Sequence, residues 1–450
     1  MGMLIDFSFG NYRSFRDEQS FTMSRSHKGA GTSRVAAIYG ANASGKSNFL
    51  TALRDMASMV RNSYAQGDGS SNIPRDSFAL RDKDKQPEPS MYFAEFMGDG
   101  GCRYQYWLTF DDKRILTENL LVYKKLGDRL STHASRLFSR DGDDVEFGPS
   151  FKGPRAQIRQ TMMLRPNALV LSAAAAAGIT VIQPAFDFFA KGIAYCDASA
   201  FLQEQPIILN EVAQNTQLAH DLVQMLRFAD VGIDGLQAVP VAMDIRTIEQ
   251  LKRQFREQLG ADADKVEQML GNQPPQMQLR FEHVGDGVKA MFGPERESMG
   301  TLGALSFFSL ALRQLSHGTV TLIDEIDTSL HPLLVKEIVA LYADPATNPR
   351  HAQLVFTAHD VSLIDASGSA ERLLEDDQIW LTEKAKDGAS EIYPVTDMRI
   401  RKGENIGRNY LNGVYGATPR PAFHALVAQI MSAQSERSEQ GMADGDEDES

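Results

Sequence analysis

The chain of 450 residues, 42% hydrophobic and 23% charged, has the composition of a folded globular protein and is long enough for two or three lobes around a sizeable core. A net charge of -13 at pH 7 disfavours a chain that coats nucleic acid by phosphate neutralisation, while leaving a local basic patch open. The two cysteines, Cys102 and Cys196, lie far apart and form neither a disulfide framework nor a zinc cluster, which fits a reducing, cytoplasmic compartment.

At the start, MGMLIDFSFGNYRSF alternates like a strand and carries Asp6 and Arg13 where a signal peptide needs an unbroken apolar run, so it is read as mature. RVAAIY, residues 34–39, predicts a second strand that runs directly into GANASGKSNFLTALRDMASMVRNSYA, a segment with the spacing of an amphipathic helix. After a Gly/Ser/Asp-rich break, the runs SMYFAEF, CRYQYWLTF and NLLVYKK predict an antiparallel β region near residues 90–125. The most apolar stretch, Ala168 to Ile182, falls short of the roughly 20 residues that span a bilayer and is expected to be buried core, with no membrane partner. From 155 to 280 the texture is helical and Gln-rich without sustained heptads, predicting an inserted helical lobe and no long coiled coil. From Ser432 onward the chain is polar and acidic and is expected to be disordered, with Asp444 and Asp446 solvated rather than metal-binding.

These elements predict an α/β fold in four parts: the N-terminal part of a head over 1–154, the helical lobe over 155–280, the C-terminal part of the head over 281–431 and the tail over 432–450.

The strongest chemical signal is GANASGKS, Gly40, Ala41, Asn42, Ala43, Ser44, Gly45, Lys46 and Ser47, a complete P-loop motif between a strand and a helix. Small residues let the backbone amides wrap phosphates, Lys46 reaches the β and γ phosphates, and the Ser47 hydroxyl ligands Mg²⁺; Asn48 follows in the same cradle. The second signal is TVTLIDEID, residues 319–327, an apolar strand ending in adjacent carboxylates. There Asp324 fits the Walker B acid that holds Mg²⁺, and Glu325 fits the base that polarises the attacking water.

A third signal, ESMGT from Glu297, caps a helix with Ser298, Met299, Gly300 and Thr301, one helix ahead of Walker B. Such a helix start suits the γ-phosphate held by a partner's P-loop, with Ser298 and Gly300 as contacts; the plain alternative is an ordinary capped core helix. DTSLH, Asp327 to His331, stands where a D-loop would cross a dimer interface, or His331 caps the helix begun by Pro332. LVFTAHD ends a short strand at His359, suited to contacting γ-phosphate and the attacking water. In NYRSF, Arg13 either meets nucleotide phosphate or belongs to a surface turn. A Gln-bearing loop is unassigned, with Gln86 and the segment around Phe78 as locations.

The order NYRSF, GANASGKSN, RPNALVLSAAA, SMGT, LIDEID, TAHD and NYLNGVYGATP resembles the AbiL/RloA-like members of the AAA family ATPases, which are ABC-type and distantly akin to SMC and RecF heads. The resemblance spans about residues 3 to 420. It implies an ABC-type P-loop head with an antiparallel β subdomain and an inserted helical lobe, ATP and Mg²⁺ as cofactors, and a homodimer or higher even oligomer. It further implies a role in anti-phage or abortive-infection systems beside a separate effector, such as a nuclease, acting in trans. The chain beyond His359 is too short for the Toprim nuclease fused to some relatives. Competing readings are an ATP-bound scaffold with little turnover, a transporter ATPase subunit, and a RecF-like DNA-repair ATPase using the basic cluster Arg399, Arg401, Lys402 and Arg408. That cluster reads first as a solvated face, so nucleic acid is allowed but not required.

Overall fold

Every residue of the strand Val35–Gly40 is buried, and its side chains divide between two cores: Ala36 and Ile38 face one, Val35, Ala37 and Tyr39 the other. That is the signature of a parallel sheet covered on both faces. In the computed structural model, which describes all residues except 1, 26–30, 67–68, 82–87, 198, 230, 242–275, 329, 366–371, 402–403, 420–422 and 444–450, this strand lies inside a six-stranded sheet. The order is Ile193–Cys196, Val320–Ile323, Gln353–Thr357, Val35–Gly40, Ile379–Lys384 and Ser390–Pro394. The first five strands run parallel and the last is antiparallel.

A second sheet of seven strands is antiparallel throughout and uses Met3–Gly10 as an interior strand beside Ser90–Met97. It continues through Arg103–Phe110, Ile115–Tyr123 and Ser135–Asp141 to Asp144–Phe147, beyond the limit near 125 expected from the sequence. The helix Lys46–Gln66 packs Phe49, Leu50, Leu53, Met56 and Val60 into the core shared by the two sheets. On the opposite face of the parallel sheet lie Ala200–Ala213, Gln217–Phe228, Met299–His317 and Pro332–Ala343.

The segment 155–280 is not a purely helical insertion. Ile193–Cys196 pairs in parallel with Val320–Ile323 and so belongs to the head; at four residues between helices, it is too short to show strand periodicity. Gly235–Val241, Gln276–Gly285 and Val288–Phe292 form a three-stranded antiparallel sheet, so the boundary expected at 280 cuts through a strand. The Gln-rich helical texture of 246–273 lies outside the described residues. At the other end, the helix Phe423–Ala443 extends into the stretch expected to be disordered from Ser432. Its Ala, Gln, Glu and Arg residues favour helix despite their polarity. Asp444 and Asp446 lie outside the described residues. No helix among the described residues is long and apolar enough to cross a membrane.

The apolar stretch Ala168 to Ile182 is buried only in part: residues 168–174, Ile179 and Ile182 are buried, whereas Ala176, Ala177, Gly178 and Thr180 are exposed, and Val170–Ala176 forms a short helix. A buried carboxylate fastens it: Glu118 accepts from the amides of Val170 at 2.7 Å and Leu171 at 3.0 Å and from the Tyr106 hydroxyl at 2.9 Å. Burial raises the Glu118 pKa, and the nearby Arg140 opposes that shift. Arg140 donates in turn to the carbonyls of Ala168 at 2.6 Å and Pro166 at 3.1 Å. Glu118→Ala leaves these donors and the guanidinium without their anion and is expected to cost about 3–5 kcal/mol. Denaturant unfolding measures this, and an unchanged midpoint would refute the staple.

Candidate nucleotide site

Parallel strands place their C-terminal ends at one edge of a sheet, and three of them build the site there. The strand Val35–Gly40 opens the P-loop. Gly40 has no room for a side chain: a Cβ there would lie 2.5 Å from the carbonyl oxygen of Thr382. Ala43 and Gly45 turn the loop with φ of 62° and 115°. The Ser44 hydroxyl bonds that of Thr382 at 2.6 Å, and Asn48 donates to the Ser14 hydroxyl at 2.9 Å. Lys46 and Ser47 open the helix, with the Lys46 ammonium donating to the carbonyls of Gly40 at 2.8 Å and Ala41 at 3.1 Å. Burial lowers the Lys46 pKa, while Glu325, Asp324 and Asp327 pull it upward.

Asp324 and Glu325 leave the end of Val320–Ile323, and His359 follows Gln353–Thr357, the strand between that one and the P-loop strand. The Thr357 hydroxyl donates to Asp324 Oδ1 at 2.6 Å and accepts the Glu325 amide at 2.7 Å. Glu325 takes a left-handed backbone at φ 53°. Its carboxylate lies 4.0 Å from His359 Nε2, and both side chains are close to half exposed, 45% and 42%.

Asp327 sits under the loop of its own chain that carries His359: Oδ2 accepts the amides of His359 at 2.8 Å and Asp360 at 2.6 Å. His331 caps the helix Pro332–Ala343, its Nδ1 accepting the Leu333 amide at 3.2 Å, which is the plainer of its two expected roles. Arg13 is engaged by Asp76 at 2.9 Å and by the Thr51 hydroxyl at 3.2 Å, in a turn with φ 49°.

Ser298 is the N-cap of Met299–His317 and accepts the Thr301 amide at 3.0 Å; Gly300 lies in the first turn, and the Met299 side chain is exposed. Phe78 is buried, and its amide donates to Asn11 Oδ1 at 3.1 Å. Gln86 and Lys402 lie outside the described residues. Arg399, Arg401 and Arg408 are exposed.

The donors present fit a nucleoside triphosphate with Mg²⁺. The P-loop turns tightly through Ala43 and Gly45 and ends at a buried ammonium. Ser47 and Asp324 are the oxygen ligands at hand. No cluster of three or more His, Cys, Asp or Glu suited to a metal occurs among the described residues. One hydroxyl and one carboxylate match what Mg²⁺ takes from protein, one or two oxygens beside phosphate. Thr357, Tyr39 and Thr382 were not singled out from sequence. For Thr357 a signal existed, a hydroxyl ending an otherwise apolar strand two residues before His359.

A P-loop strand and a Walker B strand separated by the strand that carries His359, with an antiparallel β sheet packed alongside, define an ABC-type P-loop head. The chain belongs to the family described as "AAA domain, putative AbiEii toxin, Type IV TA system", whose profile matches residues 35–177 and 201–365. No curated protein matches it in sequence. Among solved structures it is similar to an Smc head bound to the C-winged helix domain of ScpA, with 12% identity over 87% of this chain and 97% of that one and a TM-score of 0.41. It is also similar to the recombination mediator protein RecF with ATP, with 13% identity over 87% of this chain and 99% of that one and a TM-score of 0.36.

Thr357→Val keeps the shape of the side chain but strands the Glu325 amide and one oxygen of Asp324. It is expected to lower stability by about 1–3 kcal/mol, whereas Thr357→Ser retains most of it. Equal unfolding midpoints for the two variants would remove the hydroxyl from this role.

Proposed function

We propose that the chain is an ATPase of the AbiL/RloA-like kind, which binds ATP with Mg²⁺, closes as a head dimer and reopens on hydrolysis, so gating a separate effector in anti-phage defence. The observation that carries this reading is geometric: the P-loop strand lies beside the strand whose Thr357 hydroxyl fastens Asp324 and the Glu325 amide, so the Lys46 loop and the paired carboxylates meet at one sheet edge. A phosphate-binding lysine, a metal-holding acid and a candidate base thus share one space, with His359 at its rim.

The chain's own groups divide the work. The P-loop amides and Lys46 bind and orient the β and γ phosphates, and a helix N-terminus favours that anion. Ser47 and Asp324 would hold Mg²⁺, which neutralises phosphate charge when bound. Glu325 accepts a proton from water as its oxygen attacks the γ-phosphorus and the bond to the bridging oxygen breaks, yielding ADP and phosphate. Thr357, by fixing both Asp324 and the Glu325 amide, keeps the metal-holding and proton-accepting carboxylates in register. The cap, with Ser298 exposed and Gly300 half-buried, would face the γ-phosphate bound by a second copy.

Glu325→Gln is expected to retain ATP affinity, to slow turnover about a hundredfold or more and to accumulate an ATP-bound dimer in size-exclusion chromatography. Wild-type turnover in that variant would sink the base assignment. For Lys46→Ala the expected result is loss of nucleotide binding by fluorescence titration, and retained affinity would overturn the P-loop reading. A turnover assay with and without a co-purified partner separates an active ATPase from an ATP-bound scaffold.

A further inference from the structure

We infer that Asp327 is a positioning residue, setting the place of His359 through the main chain rather than by touching nucleotide or metal. The inference rests on the ATPase reading above, in which His359 faces the γ-phosphate.

The imidazole itself is weakly gripped. It is 42% exposed, and the carboxylate nearest to it, that of Glu325, stands 4.0 Å away. Its location is therefore inherited from its backbone, and that backbone is clamped from two sides. On the donor side, Asp327 Oδ2 accepts the amides of His359 at 2.8 Å and Asp360 at 2.6 Å, charge-assisted bonds of the stronger kind. On the acceptor side, the Asp360 carbonyl takes the hydroxyl of Tyr39 at 3.1 Å. Tyr39 is fully buried, the last residue before Gly40, and burial holds its pKa well above the ordinary value, so it stays a donor. A further backbone bond, from the Ile326 amide to the Thr357 carbonyl at 3.1 Å, ties the turn carrying Asp327 to the strand that leads to His359. The Walker B turn and the P-loop strand thus grip one dipeptide, His359–Asp360, between them.

One oxygen of Asp327 makes both bonds, while Oδ1 is buried and makes none. A direct role toward phosphate or Mg²⁺ would depend on that second oxygen and on the full charge; the clamp needs one accepting oxygen, whose bonds the charge strengthens. Asp327→Asn keeps one oxygen able to accept both amides and replaces the other with an amide group, so it divides the two roles.

In the full-length protein, kcat for ATP and the affinity for a fluorescent ATP analogue are measured side by side. Asp327→Ala is expected to lower kcat at least about tenfold with affinity within about threefold of wild type. Asp327→Asn should restore kcat to within about threefold of wild type. In a His359→Ala background, Asp327→Ala should slow kcat no further, since both act through one group. Tyr39→Phe, which removes only the hydroxyl on the acceptor side, should lower kcat by about two- to fivefold with affinity kept. Should Asp327→Ala fail to fold by thermal melt, the Asn and Phe variants carry the test. An Asp327→Asn variant that loses ATP affinity, or a double variant slower than His359→Ala alone, would overturn the clamp. Glu325→Gln run in parallel keeps the two readings apart. Its wild-type turnover would count against the ATPase reading, whereas slowed Glu325→Gln beside undisturbed Asp327 and Tyr39 variants would count against the clamp alone.

Discussion

The strand Gln353–Thr357 is hydrogen-bonded along both edges, to Val320–Ile323 on one side and to Val35–Gly40 on the other, and every residue in it is buried. The geometry of the site depends on that double pairing. Because the strand's side chains alternate between two cores, Val355 in one and Leu354 and Phe356 in the other, its register is strongly specified. A slip of one residue would replace the Thr357 hydroxyl with a neighbour that can bond neither Asp324 nor the Glu325 amide. Correct pairing therefore places Thr357 against Walker B and, two residues later, delivers His359 to the same edge.

The P-loop is held from distant parts of the chain. Phe15 and Ser390 stand where a Cβ on Gly45 would go, Thr382 bonds Ser44, and the Ser390 amide donates to the Ser14 carbonyl at 2.7 Å. The turn Asn11 to Phe15 thus forms part of the loop's support: Asn48 reaches Ser14, and the Tyr12 hydroxyl donates to Asp55 at 2.6 Å on the P-loop helix. Aromatic packing of Phe15 on Phe9, with ring centroids 4.9 Å apart, links that turn to the antiparallel sheet.

Features whose cause lies in contiguous residues were legible in the sequence. GANASGKS declares its own loop, a strand ending in Asp324 and Glu325 declares its end, and Ser298 reads as the cap it is. What was not legible depends on partners far apart in the chain. Nothing in IAYC tells that it pairs beside Val320–Ile323, because a four-residue strand has no room to display a period. The role of Thr357 requires knowing which strand lies next to it. Asp327 looked like a residue for a second copy because its motif position suggested so; its carboxylate is taken up by the backbone of His359 and Asp360 within the same chain. For Arg13 the sequence left phosphate and a surface turn open, and the contacts it makes with Asp76 and Thr51 join residues far apart in the chain.

The left-handed backbone at Glu325 makes the site a standing load on the fold. A non-glycine residue in that region costs on the order of 1–2 kcal/mol, and Thr357 is the group that holds it there. Glycine or asparagine at that position would relax the turn while discarding the carboxylate. Under the role proposed for Glu325, a more relaxed turn would come at the cost of the proton acceptor, so stability and turnover pull against each other at this one position.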